Sequence, residues 1–300
     1  MEQPQFSVVV ATYNACPYLQ KTLQALLALE YDSYEVIVVN DGSTDGTRAY
    51  MDFLSDPRLR VAHNEKNLQT CESRNRGIAL ARGQFIAFTD HDCLPRPDWL
   101  QKLAAAFKNG EIGFVFGQVA YVREGYRGYF PERLVQNDQG RWPMGCNLAF
   151  RKEALEKTGG FDPEYFKFGN EDTELALRAV TQGVKYKSVP EAVVFHQAMD
   201  WSVAHLWRSA RNASVWPRLK KKYPQNYLHF RPHIWGGVVI DGRDYLYILT
   251  MPILVPILLV RYWWHGKRDL KIFFAKWPLH LWLKRWFIWH EAVRNRSVMF

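Results

Sequence analysis

The sequence predicts an α/β fold built on a mostly parallel, doubly wound sheet, followed by a basic helical extension. Three observations predict it. Short β-branched runs alternate with stretches of helical apolar spacing, polar residues stand directly after those runs, and the composition changes near residue 200. Such alternation gives parallel strands joined by crossover helices, and sheets of this kind place ligands at the carboxyl ends of their strands.

Residues 6–11 (FSVVVA) are the first strand, ended by Thr12-Tyr13-Asn14, and residues 18–29 carry Leu19, Leu23, Leu26 and Leu27 at helical spacing. Residues 35–39 (EVIVV) are a second buried strand closed by Asn40-Asp41-Gly42-Ser43, with a helix over 44–54. A third strand over 60–63, a helix over 72–81 and a fourth strand over 84–89 (QFIAFT) lead into Asp90-His91-Asp92. Beyond Trp99 the pattern loosens, and residues 110–150 mix short apolar stretches with glycine and aromatic residues. A short helix over 152–157, a longer one over 171–182 ended by Gly183, and a strand over 185–195 complete a domain of residues 1–200.

The charge supports the boundary. Thirty-nine Lys+Arg against 30 Asp+Glu make +9, but residues 201–300 hold 17 and 4, so the tail carries +13 and the first 200 residues −4. Ten of the twelve tryptophans also lie in the tail, which points to a polyanionic surface as partner. A chain of 300 residues, 48% of them hydrophobic, is neither disordered nor a small disulfide scaffold. Cys16, Cys71, Cys93 and Cys146 lack metal-ligand spacing and read as reduced thiols. Residues 1–5 lack a basic start and residues 6–11 are too few for a signal peptide, so the N-terminal part is expected in the cytoplasm.

Asp90 and Asp92, one residue apart after a buried strand, can meet one divalent ion that bridges a diphosphate. Alone such a pair at a strand end is more often turn chemistry than a metal site. Position adds to it, because Asp41 and Tyr13 end other strands.

The segments SVVVATYN (7–14), VIVVNDGSTDGT (36–47), SRNRGI (73–78), FTDHDCLPRPDWL (88–100), GCNLAFRKEALEKTGGFD (145–162) and GNEDTELALRA (169–179) stand in the order and spacing of glycosyltransferase family 2. The chain resembles that family over roughly residues 5–200. The resemblance implies the GT-A fold, with a nucleotide-binding half (1–100) and an acceptor half (101–200), and an inverting transfer from a nucleotide-sugar.

Carried over residue by residue, the resemblance gives Asp41 and the chain from Ala11 to Tyr13 to the base of a UDP-sugar, with Tyr13 stacking on it. Asp90 falls near the ribose or the metal, Asp92 ligates Mg²⁺ or Mn²⁺, and His196 matches a third metal ligand, whose imidazole favours Mn²⁺. Asp172 matches the catalytic base, and Glu171 contacts the acceptor or orients its loop. Arg74 reaches the nucleotide, while Trp142 and Asn147 fall in the donor-sugar and acceptor walls. Each residue also has a plain structural reading: an Asx-turn for Asp41, helix capping for Glu171 and Asp172, a surface helix arginine for Arg74, a structural histidine for His196, packing for Trp142 and Asn147.

Two departures matter. Processive members carry Gln-x-x-Arg-Trp after the Glu-Asp pair, and nothing beyond residue 172 fits it, so transfer of a single sugar is expected. Around Asn67-Leu68-Gln69 the family often has Asn-x-Gly, so this loop is expected to differ in shape. Two rivals were weighed. A sugar-phosphate nucleotidyltransferase needs a glycine-rich phosphate loop that residues 11–17 do not offer, and a decayed, non-catalytic membrane-binding module would not keep Asp41, Asp92 and Asp172.

In the tail, residues 245–260 are sixteen uncharged residues, about 24 Å as a helix, short of a roughly 30 Å hydrocarbon core, and Pro252 and Pro256 are expected to interrupt them. Residues 270–293 read as one interfacial helix, with Lys276, His280 and Lys284 against a wide apolar sector rich in tryptophan. The expected partners are therefore a nucleotide-sugar, a lipid-linked or glycan acceptor, and anionic lipid at the cytoplasmic face of a membrane, with homodimer contact through the tail as a further option. Long continuous apolar runs argue against nucleic acid.

Overall fold

A computed structural model of the chain describes residues 3–122, 132–133, 137–197, 199–200, 203–230, 242–264, 270–274 and 279–297. The chain divides into two compact units. One comprises Met1–Val122, Val135–Phe166 and Asn170–Gln197, the other Arg123–Leu134, Lys167–Gly169 and Ala198–Phe300. The division is not contiguous, because the second unit takes two short insertions besides the tail.

The first unit opens with the alternation read from the sequence: β1 (Phe6–Thr12), α1 (Cys16–Leu27), β2 (Tyr34–Asn40), α2 (Thr47–Phe53), β3 (Leu59–His63), α3 (Thr70–Leu80) and β4 (Phe85–Asp90). Next come β5 (Cys93–Pro95), α4 (Trp99–Phe107) and β6 (Ile112–Val122). The short β7 (Glu132–Arg133) belongs to the second unit, and β8 (Leu148–Arg151), α5 (Lys152–Thr158), α6 (Glu171–Thr181) and β9 (Lys185–Gln197) complete the first. One eight-stranded sheet runs β3-β2-β1-β4-β8-β6-β9-β5. Its first four strands are parallel, β8 lies antiparallel between β4 and β6, β9 runs parallel to β6, and β5 pairs antiparallel with β9.

β2 is buried along its whole length and β1 at all but one position, as strands covered on both faces must be. Leu19, Leu23 and Leu26 of α1 are at most 1% exposed and fill one side of the core, each worth roughly 1.5–3 kcal/mol of apolar burial. Phe85 stacks on Phe107 at 4.4 Å between ring centroids, and Phe6 lies 5.0 Å from Phe85, which fixes α4 to the sheet. The loosened stretch beyond residue 110 is β6, an eleven-residue strand. Its pairing with β9 slips at Ile112/Phe114 and at Gly117/Gln118. A Cβ on Gly117 would meet the Ala192 carbonyl at 2.1 Å, so glycine is required where β9 approaches, and it breaks the alternation that marks a strand.

Parallel pairing fixes which strand ends meet. Ala11 stands opposite both Val39 and Asp90, so the carboxyl ends of β2, β1 and β4 share one edge where the strand order reverses. α3 is entered through Gln69, whose φ of 78° and ψ of 163° belong to glycine's territory. The Asp41 carboxylate holds this turn, accepting hydrogen bonds from the Leu68 and Gln69 N–H groups at 2.8 Å.

The second unit contains the β10 (Met199–Asp200) to β7 antiparallel pair and α7 (Val203–Asn212), α8 (Val215–Lys222), α9 (Gly242–Trp264), α10 (Leu270–Phe274) and α11 (His280–Arg294). One expectation changes here. Pro252 and Pro256 do not interrupt the apolar run, since α9 is one 23-residue helix that passes through both. Each proline only leaves one carbonyl of the preceding turn without a donor, and flanking apolar residues continue the helix. Residues 270–293 are covered by α10 and α11, while Lys276 and Trp277 lie outside the described residues. Among the described residues no helix is long and apolar enough to cross a membrane.

The strained entry to α3 gives a stability prediction. Gln69→Gly keeps the N–H that Asp41 holds and removes the backbone strain, so the variant should be more stable by about 1 kcal/mol, read as a higher denaturant midpoint in equilibrium unfolding.

Candidate active site

Arg74 lies on α3 and is 3% exposed. Its Nη2 donates to Asp90 Oδ1 at 2.7 Å and its Nη1 to Glu171 Oε1 at 2.9 Å, while the guanidinium packs 5.1 Å from the Phe161 ring centroid. The arginine therefore bridges the end of β4 to the start of α6. A Cβ on Gly145 would meet both terminal nitrogens of Arg74 at 2.9 Å, so glycine at 145 lets the main chain pass against the guanidinium. The N–H of Gly145 donates to Asp172 Oδ2 at 2.7 Å, and Thr173 N–H donates to Asp172 Oδ1 at 2.6 Å.

These contacts set the charges. Burial would weaken the Arg74 proton affinity, but Asp90, Glu171 and Asp172 together hold the guanidinium above its ordinary value. Burial also pushes the Asp90 carboxyl up, and Arg74, His196 and His91 outweigh it, leaving the group below its ordinary value. For Asp172 burial wins over the Gly145 N–H and Arg74, so its carboxyl lies above the usual range. Glu171 is raised by burial and then by Asp172, with Arg74 opposing.

Asp92 and His196 face each other beside this cluster, 5% and 3% exposed. Antiparallel pairing sets Cys93 opposite His196, and the Gln197 N–H donates to the Asp92 carbonyl at 2.9 Å. His196 Nδ1 lies 3.0 Å from the Gln197 carbonyl, which only accepts, so Nδ1 carries the proton. In the neutral ring Nε2 then turns a lone pair toward Asp92 Oδ1 at 3.4 Å. In that form two acceptors at this distance suit a cation between them, whereas in the protonated ring Nε2 donates to Asp92 instead. One donor atom each from Asp90, Asp92, Cys93 and His196 lies within 4.8 Å of the others. Burial and the Cys146 contact hold the Cys93 thiol well above its ordinary value, and the oxygen and imidazole donors beside it fit Mn²⁺ or Mg²⁺.

The base-side residues form a rim. Asp41 is 3% exposed and its carboxylate accepts from Asn64 Nδ2, Leu68 N and Gln69 N, each at 2.8 Å. Three of about four lone-pair sites are thereby taken, leaving one for a ligand donor. Asn14 N–H donates to Ser43 Oγ and Thr44 N–H to Asn14 Oδ1, tying the loops after β1 and β2 together. Between them Tyr13 stands 44% exposed, and the Ala11 carbonyl is met by His91 Nδ1 at 3.2 Å.

Two expectations are corrected. Arg74 is no surface arginine, but the buried centre of the acidic cluster. Asn147, expected in the acceptor wall, is fully buried: its Oδ1 accepts from Trp99 Nε1 at 2.9 Å and its Nδ2 donates to the Gln118 and Ala192 carbonyls at 2.8 Å. It ties α4, β6 and β9 together and shows no free polar atom to an acceptor. Trp142 is half-buried, its carbonyl accepting from the buried Asn137 side chain. Sequence reasoning did not find Gly145 as the support of Asp172, although the glycine-cysteine-asparagine run was visible.

The sequence was compared with known proteins. The family model described as "Glycosyl transferase family 2" matches residues 7–170. The chain belongs to this family. Chondroitin synthase from Escherichia coli is 26% identical over 266 residues, covering 74% of this chain and 39% of that protein. Glucosyl-dolichyl phosphate glucuronosyltransferase from Haloferax volcanii is 26% identical over 252 residues, covering 73% of this chain and 78% of that one. An uncharacterized glycosyltransferase from Haemophilus influenzae is 32% identical over 110 residues, 36% of this chain and 34% of its own length. The chain thus spans between a third and two-fifths of the first curated relatives it matches. Among solved structures, the mannosyltransferase PcManGT from Pyrobaculum calidifontis in complex with GDP-Man and Mn²⁺ aligns with a TM-score of 0.64 at 18% identity over 99% of this chain and 88% of that one. S. aureus TarS 1–349 in complex with UDP-GlcNAc aligns with a TM-score of 0.59 at 17% identity, over 98% and 92%. The fold is GT-A, as the family 2 motifs implied.

Two stability measurements probe this site. Asn147→Ala leaves the Trp99 N–H and two buried carbonyls unpaired and should cost about 3 kcal/mol or more in equilibrium unfolding. Asp172→Asn keeps an acceptor for Gly145 and removes a carboxylate whose ionisation the fold opposes. A raised folded-state value means that wild-type stability falls as pH rises through the interval between the ordinary and the raised value. The melting temperature of the variant relative to wild type should therefore rise as pH increases toward neutrality and fall back as acid protonates the native carboxyl, on top of a pH-independent cost from the amide NH2 that faces one of the Gly145 and Thr173 N–H groups.

Proposed function

We propose that the chain transfers a single sugar from a nucleotide-sugar, most simply a UDP-sugar, to a hydroxyl of a lipid-linked or membrane-proximal glycan acceptor, with inversion at the anomeric carbon. The observation that carries this reading is the pairing across Arg74 of Asp90, at the nucleotide end of the sheet, with the Glu171-Asp172 turn of α6. The guanidinium sets the two halves of a displacement at a fixed separation.

In this reading the base lies at the rim formed by Ala11, Tyr13 and Asp41, with Tyr13 exposed for stacking and the remaining Asp41 lone pair accepting from the base. A divalent cation held by Asp92 and His196, with Asp90 beside it, would supply the charge that stabilises the departing diphosphate. Asp172 takes the proton of the acceptor hydroxyl, the freed oxygen bonds to the anomeric carbon, and the bond from that carbon to the diphosphate oxygen breaks on the opposite face. Its raised proton affinity suits a base, and the Gly145 and Thr173 N–H groups, one on each carboxylate oxygen, fix its orientation. Glu171 keeps Arg74 in place and borders the acceptor, with Trp142 as an outer wall. The missing Gln-x-x-Arg-Trp supports release after one transfer.

The printed names of similar proteins support the classes of ligand: GDP-Man and Mn²⁺ with one fold neighbour, UDP-GlcNAc with another, and a dolichyl phosphate substrate in the name of one relative.

A donor screen tests the proposal. With Mn²⁺, purified protein should hydrolyse or transfer from one member of a panel of UDP- and GDP-sugars. Asp172→Asn should bind that donor as tightly as wild type while turnover drops by about 10²–10⁴. Asp92→Ala should lose metal-dependent donor binding in calorimetry. Undiminished turnover by Asp172→Asn would remove it as the base.

A further inference from the structure

The second unit is dressed the wrong way for water. On α9, Leu249, Ile253, Ile257, Val260 and Trp264 are 79%, 70%, 58%, 67% and 86% exposed, and Pro252 and Pro256 are exposed on the same side. Their spacing is three or four residues throughout, so they form one continuous stripe, while Met251 and Tyr262 turn inward at 8% and 3%. On α11 the inversion is sharper. Arg285 and Glu291 are buried at 1% and 5%, Arg218 pairs with Glu291 at 2.8 Å, and Trp282, Trp286 and Val293 stand 51%, 53% and 79% exposed. Arg285 and Glu291 are buried with Ile288 and Ala292 while the tryptophans and Val293 stand outward, so α11 shows much of its apolar surface.

We propose that the exposed stripe of α9, with the outward tryptophans of α11, lies in the plane of an anionic lipid surface at interfacial depth. Charge decides between lipid and a second copy. Residues 201–300 carry +13 with only four acids, so pairing two such surfaces brings like charge together, whereas anionic headgroups attract it. The prolines decide the depth. Pro252 has no N–H for the Ile248 carbonyl, and Pro256 none for that of Pro252, so the stripe carries two carbonyls that need water or headgroups and do not suit the hydrocarbon centre. Exposed tryptophans belong at that same interface. The inference does not depend on the transfer reaction, since it rests on the second unit alone.

Sedimentation of the full chain with vesicles tests it without donor or acceptor. Vesicles containing phosphatidylglycerol should carry down at least about tenfold more protein than pure phosphatidylcholine, and added salt should reduce the difference. Ile253→Asp with Ile257→Asp should cut partition by about tenfold or more, while Phe53→Asp, at an 87% exposed apolar position of the first unit, should not. Ile253→Leu with Ile257→Leu should partition as wild type, and circular dichroism verifies that each variant is folded. Tryptophan fluorescence should be quenched more by lipids brominated near the headgroup than by those brominated at the chain end. Equal sedimentation with both vesicle types, or an α9 variant that dissociates a stable dimer while lipid binding is unchanged, would overturn the proposal.

Discussion

A buried guanidinium is the constraint on which the site depends. Asp90, Glu171 and Asp172 come from two segments of the chain and gather like charge in one partly buried place, which is unfavourable unless it is compensated. Arg74 compensates them at 3% exposure and does so with both arms of its fork, one to each segment. Lysine could not replace it, because a point charge on a flexible stem cannot donate in two directions fixed by one plane. The surroundings follow from that geometry: Phe161 covers one face of the guanidinium, Gly145 allows the main chain to pass at its tip, and that same passage aims the Gly145 N–H at Asp172.

The two carboxylates of the Asp-x-Asp turn are thereby given different fates. Asp90 faces a fixed cation that never leaves. Asp92 faces the Nε2 of a buried imidazole whose other nitrogen is committed to a carbonyl. One acid is neutralised by the fold itself, and the other is left with a partner that can share a metal ion. In the proposed reaction this division lets the diphosphate depart with its counter-charge while the skeleton of the site stays assembled. It also explains why burial raises the Asp172 carboxyl in spite of Arg74, since one guanidinium is shared among three acids.

Much of this was legible in the sequence, and the part that was not has a physical reason. The parallel half could be read because residues such as Val8, Val10, Val36 and Val38 are buried on both faces of the sheet and form continuous β-branched runs. The strand at Ile112–Val122 could not, because Gly113 and Gly117 sit beside its register shifts. The acids and His196 were visible as types at strand ends. The burial of Arg74 was not, since one arginine on α3 looks the same whether its face meets solvent or Asp90. Asn147 misled for the opposite reason: a polar residue in a motif invites a ligand, yet this amide spends all its described hydrogen bonds on Trp99, Gln118 and Ala192. Pro252 and Pro256 misled as helix breakers because each removes a single donor, and the apolar residues around them carry the helix on.

The net charge of +9 hides a separation that the two units make physical. In the first unit Arg74 pairs with Asp90 and Glu171, while Asp92 lies beside His196. In the second, positive charge surrounds helices whose apolar residues face outward, and the charged pair it hides, Arg218 with Glu291, is internally compensated. Asp92 and His196 are at most 5% exposed and take their partners from within the sheet. The sheet edge sets Asp92 Oδ1 and His196 Nε2 3.4 Å apart, a gap that admits a small cation and is too narrow for a lysine side chain.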